Sequence, residues 1–409
     1  MKSIGIEKIN LYGSSLCLKQ SDLAIARGKD PQRVVDDYMI DTRSLNPPYE
    51  DTITMAINAA APMLTDEDKA RIGLLIVGTE GSVDFGKPIS TNIHGLLSLP
   101  HAVRNFETKH ACYSGVAALD VAINWIASGL NRGKKALVIA TDFSRRHFGK
   151  DWEFVLGGAS AAMIISDTPK IIEFETSLKG SWTTDIYDTY RPTARHESGN
   201  NEVSLYSYSD ALEGAYRDFT DCVEGPVDFD AMFDYNIYHM PFPAMAFQAH
   251  RILCNCARPR AKSEVRESFN AKVLPSLRFA RRVGSMYGAS NFFGLCGLIQ
   301  SVSDLKPDAR VGMFAYGSGA MGEFYSGRIC DGAREIIDAM RFDESLDRRK
   351  KVSVAEYEMV ETLREDLIEK ENYISDLTVL DNWYEEFYKC RRMLVLSEVN
   401  EYRRIYQWS

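Results

Sequence analysis

No apolar run in this chain approaches the roughly 20 residues that a membrane helix needs; VAINWIASGL and FFGLCGLIQSV are the nearest and fall well short. The opening stretch, MKSIGIEKINLYG, lacks the continuous apolar segment of a signal peptide. No dense Lys/Arg tract precedes residue 348 and the net charge is −9, which argues against a nucleic-acid partner. The eight cysteines (17, 112, 222, 254, 256, 296, 330 and 390) show no disulfide framework, and Cys254-Asn-Cys256 has no second Cys or His pair at zinc-site spacing. They read as reduced thiols in a cytoplasmic protein without a metal site. No low-complexity linker or short repeat divides the chain. What remains is an ordinary globular composition, 45% hydrophobic and 26% charged, in 409 residues, enough for two domains or one large duplicated fold.

Short apolar runs that end in small or polar residues have the pattern of buried strands in an α/β protein: residues 72–82, 134–144, 159–166, 234–242 and 310–319. Helical spacing lies between them, at residues 51–64, 114–128, 245–258, 264–283 and 285–302. The spacing predicts two tandem halves, residues 1–167 and 168–330, with 168–232 expected as long loops forming a cap. Residues 331–409 are expected to form a charged, helical C-terminal appendage.

Strand ends are where α/β proteins present side chains into a crevice. Glu80 closes IGLLIVGTE, His239 closes DYNIYH, and Cys112 sits beside the start of a helix with apolar residues at Val116, Leu119, Ile123 and Ile126. A cysteine there meets free backbone N–H groups and the positive end of the helix dipole, which favour thiolate over thiol. A carboxylate, a thiol and an imidazole at such ends form a constellation suited to acyl transfer, and the turn Tyr316-Gly317-Ser318-Gly319 offers backbone donors. Each has a plainer reading too: a solvated turn carboxylate, an inert buried thiol, a core histidine. Arg27 and Arg33 could form a basic rim toward phosphopantetheine or an acidic carrier, though solvated helix ends explain them better, and His250 could reach a phosphate or simply lie on a helix surface. Asp188 and Arg191 either shape the cap or pair with each other, and Tyr206 and Tyr208 read as packing residues.

TEGSVDFGKPISTNIH, KHACYSG, LVIATDFSR, YHMPF and AYGSGAMGEFYSG, in that order, resemble the 3-hydroxy-3-methylglutaryl synthase family of the thiolase superfamily. DFGKPIST, LDRRKKVSVAEYE and the terminal EYRRIYQW are similar to its polyketide β-branching branch, and the resemblance runs from about Ile4 to the last residues. It implies a five-layered αβαβα fold of two similar halves, usually a homodimer. It implies that Cys112 takes an acetyl group from a thioester donor, Glu80 removes a proton from the acetyl methyl, and His239 orients the acceptor. Gly317, Ser318, Ser285 and Arg191 are expected in substrate binding or oxyanion support. Substrates would ride on acyl carrier proteins as phosphopantetheine thioesters, or on coenzyme A, with no further cofactor. Four departures stand out: Ser285 replaces a family Asn, with Asn291 a candidate substitute; Arg146 stands where an aromatic residue is usual; HFGKDWEFVLGGASAAMI is shorter than the β-branching pattern and lacks its Pro-containing turn; and Phe247 replaces a Lys often aimed at cofactor phosphates. The alternatives are a 3-hydroxy-3-methylglutaryl-coenzyme A synthase of primary metabolism, a same-fold acyltransferase without aldol chemistry, and a non-catalytic homologue acting as a scaffold.

Overall fold

A computed structural model describes residues 2–389 and 391–409, so Cys390 lies outside the described residues. Nine strands form the central sheet: β1 (Gly5–Tyr12), β2 (Ile72–Gly78), β3 (Arg104–Thr108), β4 (Lys135–Phe143), β5 (Gly158–Ser166), β6 (Ile172–Thr183), β7 (Tyr235–Tyr238), β8 (Arg310–Gly317) and β9 (Met321–Ile329). Their spatial order is β7-β8-β9-β6-β1-β5-β4-β2-β3. From β1 outward the pairings run antiparallel, antiparallel, parallel (β1-β5-β4-β2), and from β6 they repeat the same sequence (β6-β9-β8-β7). The chain thus builds one pattern twice and joins the copies where Gly5 and Ile6 pair with Glu173 and Ile172.

Alternation within the strands decides where the helices go. Leu74, Ile76, Val138 and Ala140 share a core with Val116, Leu119 and Ile123 of α2 (Ser114–Ala127). The intervening Leu75, Val77, Leu137 and Ile139 pack on Ile53 and Ile57 of α1 (Thr52–Ala60), on the opposite face. The cluster on the α2 side runs on into the second copy, through Leu253 of α4 (Met245–Ala257) and Phe293 of α5 (Ser290–Ser301). Strands covered on both faces read as unbroken apolar runs, which is why β2, β4 and β5 are visible in the sequence.

Residues 168–232 are more ordered than expected. They contain β6 and the 21-residue α3 (Asn201–Asp221), and only 184–200 form an irregular cap. α3 buries one stripe, Tyr208, Ala211, Leu212, Ala215 and Phe219, beneath a polar outer face. Tyr208 packs as expected, whereas Tyr206 is exposed.

The C-terminal stretch is helical only in part. α6 (Val354–Asp366) and two shorter helices meet the expectation, but Lys350–Val352 pairs with Leu16–Lys19, and Leu394–Asn400 forms a hairpin with Arg403–Trp408. Leu394 joins the α1 core and exchanges backbone bonds with the Asn58 amide, so the tail completes the first copy rather than hanging from it. A buried carboxyl ties the two together. Glu50 accepts from Tyr388 of the tail at 2.5 Å, Ser14 at 2.7 Å, Asn46 at 2.8 Å, and Tyr12. Burial pushes the Glu50 carboxyl up from its ordinary value, and these donors offset part of that rise. Glu50→Ala removes the acceptor shared by four buried donors, of which Ser14, Asn46 and Tyr388 keep a second partner, and is expected to cost about 2 kcal/mol of stability. Urea unfolding measures it; an unchanged midpoint at unchanged m-value contradicts it.

No helix among the described residues is long and apolar enough to cross a membrane. Among them, no group of three or more His, Cys, Asp and Glu gathers as a metal site.

Candidate active site

Cys112 lies two residues before α2, in a turn where Ala111 takes φ 41° and the Tyr113 N–H donates to the His110 carbonyl at 3.0 Å. Small residues let the walls close on this turn. A Cβ on Gly115 would sit 2.4 Å from the Gly288 carbonyl oxygen. One on Gly317 would sit 2.4 Å from the His110 carbonyl oxygen and 2.7 Å from the Tyr113 nitrogen. The Gly317-Ser318-Gly319 turn at the end of β8 is therefore seated directly on the cysteine turn. Ser318 itself is half-buried.

The expectation of a stabilised thiolate is overturned. Burial, and then the negative charges of Glu80 and Asp142, push the Cys112 thiol well above its ordinary value. A helix terminus acts over about one turn, and here desolvation and two carboxylates outweigh it. Cys112 rests as a thiol.

Glu80 follows β2 and is fixed through its backbone. Asp142, at the end of β4, accepts from the Thr79 hydroxyl at 2.8 Å and from the Glu80 and Gly81 N–H groups at 2.9 and 3.1 Å, all on one oxygen. The other oxygen of Asp142 is buried without a hydrogen-bond partner among the described residues. Burial raises the Glu80 carboxyl to about 7; Arg191 opposes that rise and Glu197 adds to it. Burial and the Glu80 charge likewise raise Asp142, so the two carboxyls hold a proton to higher pH than either would in water.

The cap is a small hairpin, Thr189–Tyr190 paired with Ser198–Gly199. Asp188 and Arg191 do not pair with each other; each engages a different copy of the fold. Asp188 accepts from the Tyr316 hydroxyl at 2.7 Å and the Gly319 N–H at 2.9 Å. Arg191 reaches the Glu80 carboxylate at 3.3 Å and Glu197 at 2.5 Å. A cleft of about 470 Å³ is lined by Glu80, Arg145 and Arg191, but neither Cys112 nor His239 borders it.

His239 ends β7 as expected. Its N–H donates to the Phe314 carbonyl at 2.6 Å, and its own carbonyl accepts from Tyr208 at 2.7 Å. The ring lies 6.3 Å from that of Tyr316, whose hydroxyl responds electrostatically to Cys112. Burial drops the imidazole to about 3, so it is neutral, and Nε2 has no hydrogen-bond partner among the described residues.

Several expected contacts are spent elsewhere. His250 is fully buried, bonded to the Tyr238 hydroxyl at 2.9 Å and the Ser268 hydroxyl at 2.8 Å, which leaves no face for a phosphate. Arg27 is held by Glu153 and Glu358, at 2.8 and 2.7 Å. Arg33 is exposed and pairs with Asp37 across one helical turn. Asn291 donates to the Phe314 carbonyl and the Tyr325 hydroxyl, both at 3.1 Å, so its amide is not free to replace the missing one. Ser285 is buried, its N–H bonded to the Val155 carbonyl. Phe247 lies beneath the Arg266 guanidinium, 4.0 Å from ring centre to carbon. Asp142, Glu197, His147 and Tyr287 escaped sequence reasoning. Asp142 closes a strand run and could have been found by the rule that found Glu80; the other three carry no local signal.

Two family models match the chain: the N-terminal part of hydroxymethylglutaryl-coenzyme A synthase over residues 1–169, and its C-terminal part over residues 255–408. The chain is 33% identical to the polyketide biosynthesis 3-hydroxy-3-methylglutaryl-ACP synthase PksG of Bacillus subtilis, with 100% of both covered. It is 32% identical to the hydroxymethylglutaryl-CoA synthase of Enterococcus faecalis, covering 89% of this chain and 94% of that one. The HMG synthase of the curacin biosynthetic pathway, solved in complex with apo donor-ACP, superposes with a TM-score of 0.94 at 36% identity over 100% of both chains.

Proposed function

The chain belongs to the hydroxymethylglutaryl-coenzyme A synthase family, and from that premise we propose that it condenses an acetyl group with the β-keto group of a β-ketoacyl thioester on an acyl carrier protein, in polyketide β-branching. The observation that carries the chemistry is a thiol and a proton-holding carboxyl in electrostatic contact, with a neutral imidazole beside Tyr316 of β8 whose Nε2 has no hydrogen-bond partner among the described residues.

The Cys112 sulfur attacks the donor thioester, and the carrier leaves as its thiol, taking up the proton that Cys112 loses. Glu80, as carboxylate, removes a proton from the acetyl methyl, while the backbone N–H groups of Cys112 and Ser318 stabilise the developing enolate oxygen. The new carbanion attacks the β-carbonyl of the acceptor, whose thioester His239 orients through Nε2, and the alkoxide takes the proton back from Glu80. Water then cleaves the Cys112 thioester, leaving a free carboxylate on the product and a thiol on the enzyme. A dehydrating and then a decarboxylating enzyme would convert that product into a β-methyl branch. The acyl groups arrive as phosphopantetheine thioesters, and no further cofactor enters these steps.

The Phe247–Arg266 stack stands where a lysine for coenzyme A phosphates would be expected, which favours a carrier-protein donor over the primary-metabolic reading. Every described cysteine is free, which supports work in the reducing cytoplasm. The outer strand β3 leaves one sheet edge open with its residues mostly half-buried, which supports a two-fold homodimer through that edge.

Intact-protein mass spectrometry with acetyl carrier protein and β-ketoacyl carrier protein tests the proposal. The acceptor is expected to gain the mass of acetic acid, and light scattering of the same sample is expected to give two chains. Loading of Cys112 from acetyl-coenzyme A but not from acetyl carrier protein would favour the primary-metabolic reading. An acetylated Cys112 with an unchanged acceptor would favour an acyltransferase.

A further inference from the structure

Glu197 takes no step in this reaction, yet it is largely buried at the base of the same site, its side chain 17% exposed. It faces Arg191 across the neck of the cap hairpin, immediately before Ser198–Gly199. Two donors of Arg191 converge on one oxygen of Glu197, Nη2 at 2.5 Å and Nε at 3.0 Å. Nη2 alone also reaches the Glu80 carboxylate, at 3.3 Å, while Nη1 turns to the Glu80 backbone carbonyl at 3.4 Å. The second oxygen of Glu197 lies 3.3 Å from Nε2 of His147, whose ring rests edge-on against Trp152. A single guanidinium is therefore shared between two carboxylates, and Glu197 holds the closer share.

We propose that Glu197 is a positioning residue: it holds Arg191 in its fork and keeps most of the guanidinium charge off Glu80, leaving Glu80 basic enough to take the acetyl proton and acidic enough to return it. The inference rests on the reading of Glu80 as the acid/base. Without the Glu197 carboxylate, Glu80 is the one carboxylate among the described residues left to pair with Arg191, and a nearby negative charge disappears as well. Both changes favour ionised Glu80, and a more readily ionised carboxylate is a weaker base.

The other groups facing Glu80 do not supply this control. Asp142, held on one oxygen by the Thr79, Glu80 and Gly81 donors, is itself raised by burial and by Glu80, so it adds to the rise of Glu80 and does nothing to keep the Arg191 charge away. Cys112 and Tyr287 are pushed upward by burial and stay neutral. Arg145 faces Glu80 and Glu197 alike; burial and then Arg191 lower it to about 10, leaving it cationic at neutral pH. Burial disfavours the charge on Glu197, but contact with His147 and Arg191 holds it down to about 2, so it is ionised throughout the working range.

The test is the pH profile of condensation in wild type, Glu197→Gln, Glu197→Asp and Glu80→Gln, each checked for an unchanged melting transition. In Glu197→Gln the midpoint of the rising limb should move down by about 1 pH unit, with kcat reduced and the acceptor KM held. Glu197→Asp keeps the charge on a shorter stem and should give a smaller move in the same direction; it carries the test if the Gln variant does not fold. A limb that stays at the wild-type midpoint in the folded Glu197 variants, while Glu80→Gln abolishes condensation, overturns the role of Glu197 and leaves that of Glu80 standing. Condensation that survives in Glu80→Gln overturns both.

Discussion

Glu80→Gln is expected to lower product formation by about 10³-fold while acetyl-Cys112 accumulates. The two steps separate because acetyl transfer to sulfur needs no carbon acid, whereas the condensation cannot start until a methyl proton leaves. Gln fills the same space and can still bond to Arg191, 3.3 Å from the native carboxylate, so the walls of the site should hold. Wild type should also show a pH signature that the variant loses. Burial raises Glu80 to about 7, so the carboxyl is protonated and inactive as a base below that pH and becomes carboxylate above it. The condensation rate should therefore rise between about pH 6 and 8. Rapid-quench intact mass spectrometry separates acetyl-enzyme from product at each pH. Cys112→Ala is the matching control and should show neither species. Product at the wild-type rate in Glu80→Gln would remove Glu80 from the reaction.

Gly317→Ala is expected to be nearly as damaging, although it changes no reactive group. Its Cβ would lie 2.4 Å from the His110 carbonyl oxygen and 2.7 Å from the Tyr113 nitrogen, both backbone atoms of the turn that carries Cys112. Backbone cannot swing aside as a side chain does, so one of the two turns must shift. A displacement near 1 Å at a reacting atom costs about 10²-fold in rate, and the added strain about 2 kcal/mol of stability. Acetyl loading of Cys112 should fall together with condensation, unlike in Glu80→Gln, and a thermal melt should show the lost stability. Wild-type loading in the folded variant would mean that the two turns are not in the contact described.

Legibility in the sequence followed burial. β2, β4 and β5 were visible because both faces are covered and the apolar run is unbroken, and α2 because its buried residues recur at helical spacing. β6 escaped because only three of its twelve residues are buried, so its period of two is drowned by polar positions. The C-terminal hairpin escaped because its neighbours Arg403 and Arg404 read as a charged tail, although Leu394 belongs to the α1 core. At the site, Glu80, Cys112 and His239 were found as chemistry-bearing residues at element ends. Asp188 and Arg191 were noticed, either as shaping the cap or as pairing with each other, and the second of these does not hold. Each in fact engages a group more than 100 residues away in sequence, Tyr316 for Asp188 and Glu80 for Arg191, while Arg191 also pairs with Glu197 six residues on.

The sequence by itself determined which reactive groups the chain carries, where each stands relative to its strand or helix, and the family to which their order belongs. These properties are local, or are read in series along the chain. Only the tertiary structure decided their states: Cys112 a thiol rather than a thiolate, Glu80 a carboxyl that ionises near neutrality, His239 a neutral ring, His250 enclosed, and Arg191 divided between Glu80 and Glu197. A proton's affinity for a side chain depends on the water removed from around it and on charges brought near from distant segments, and neither quantity exists until the chain has folded.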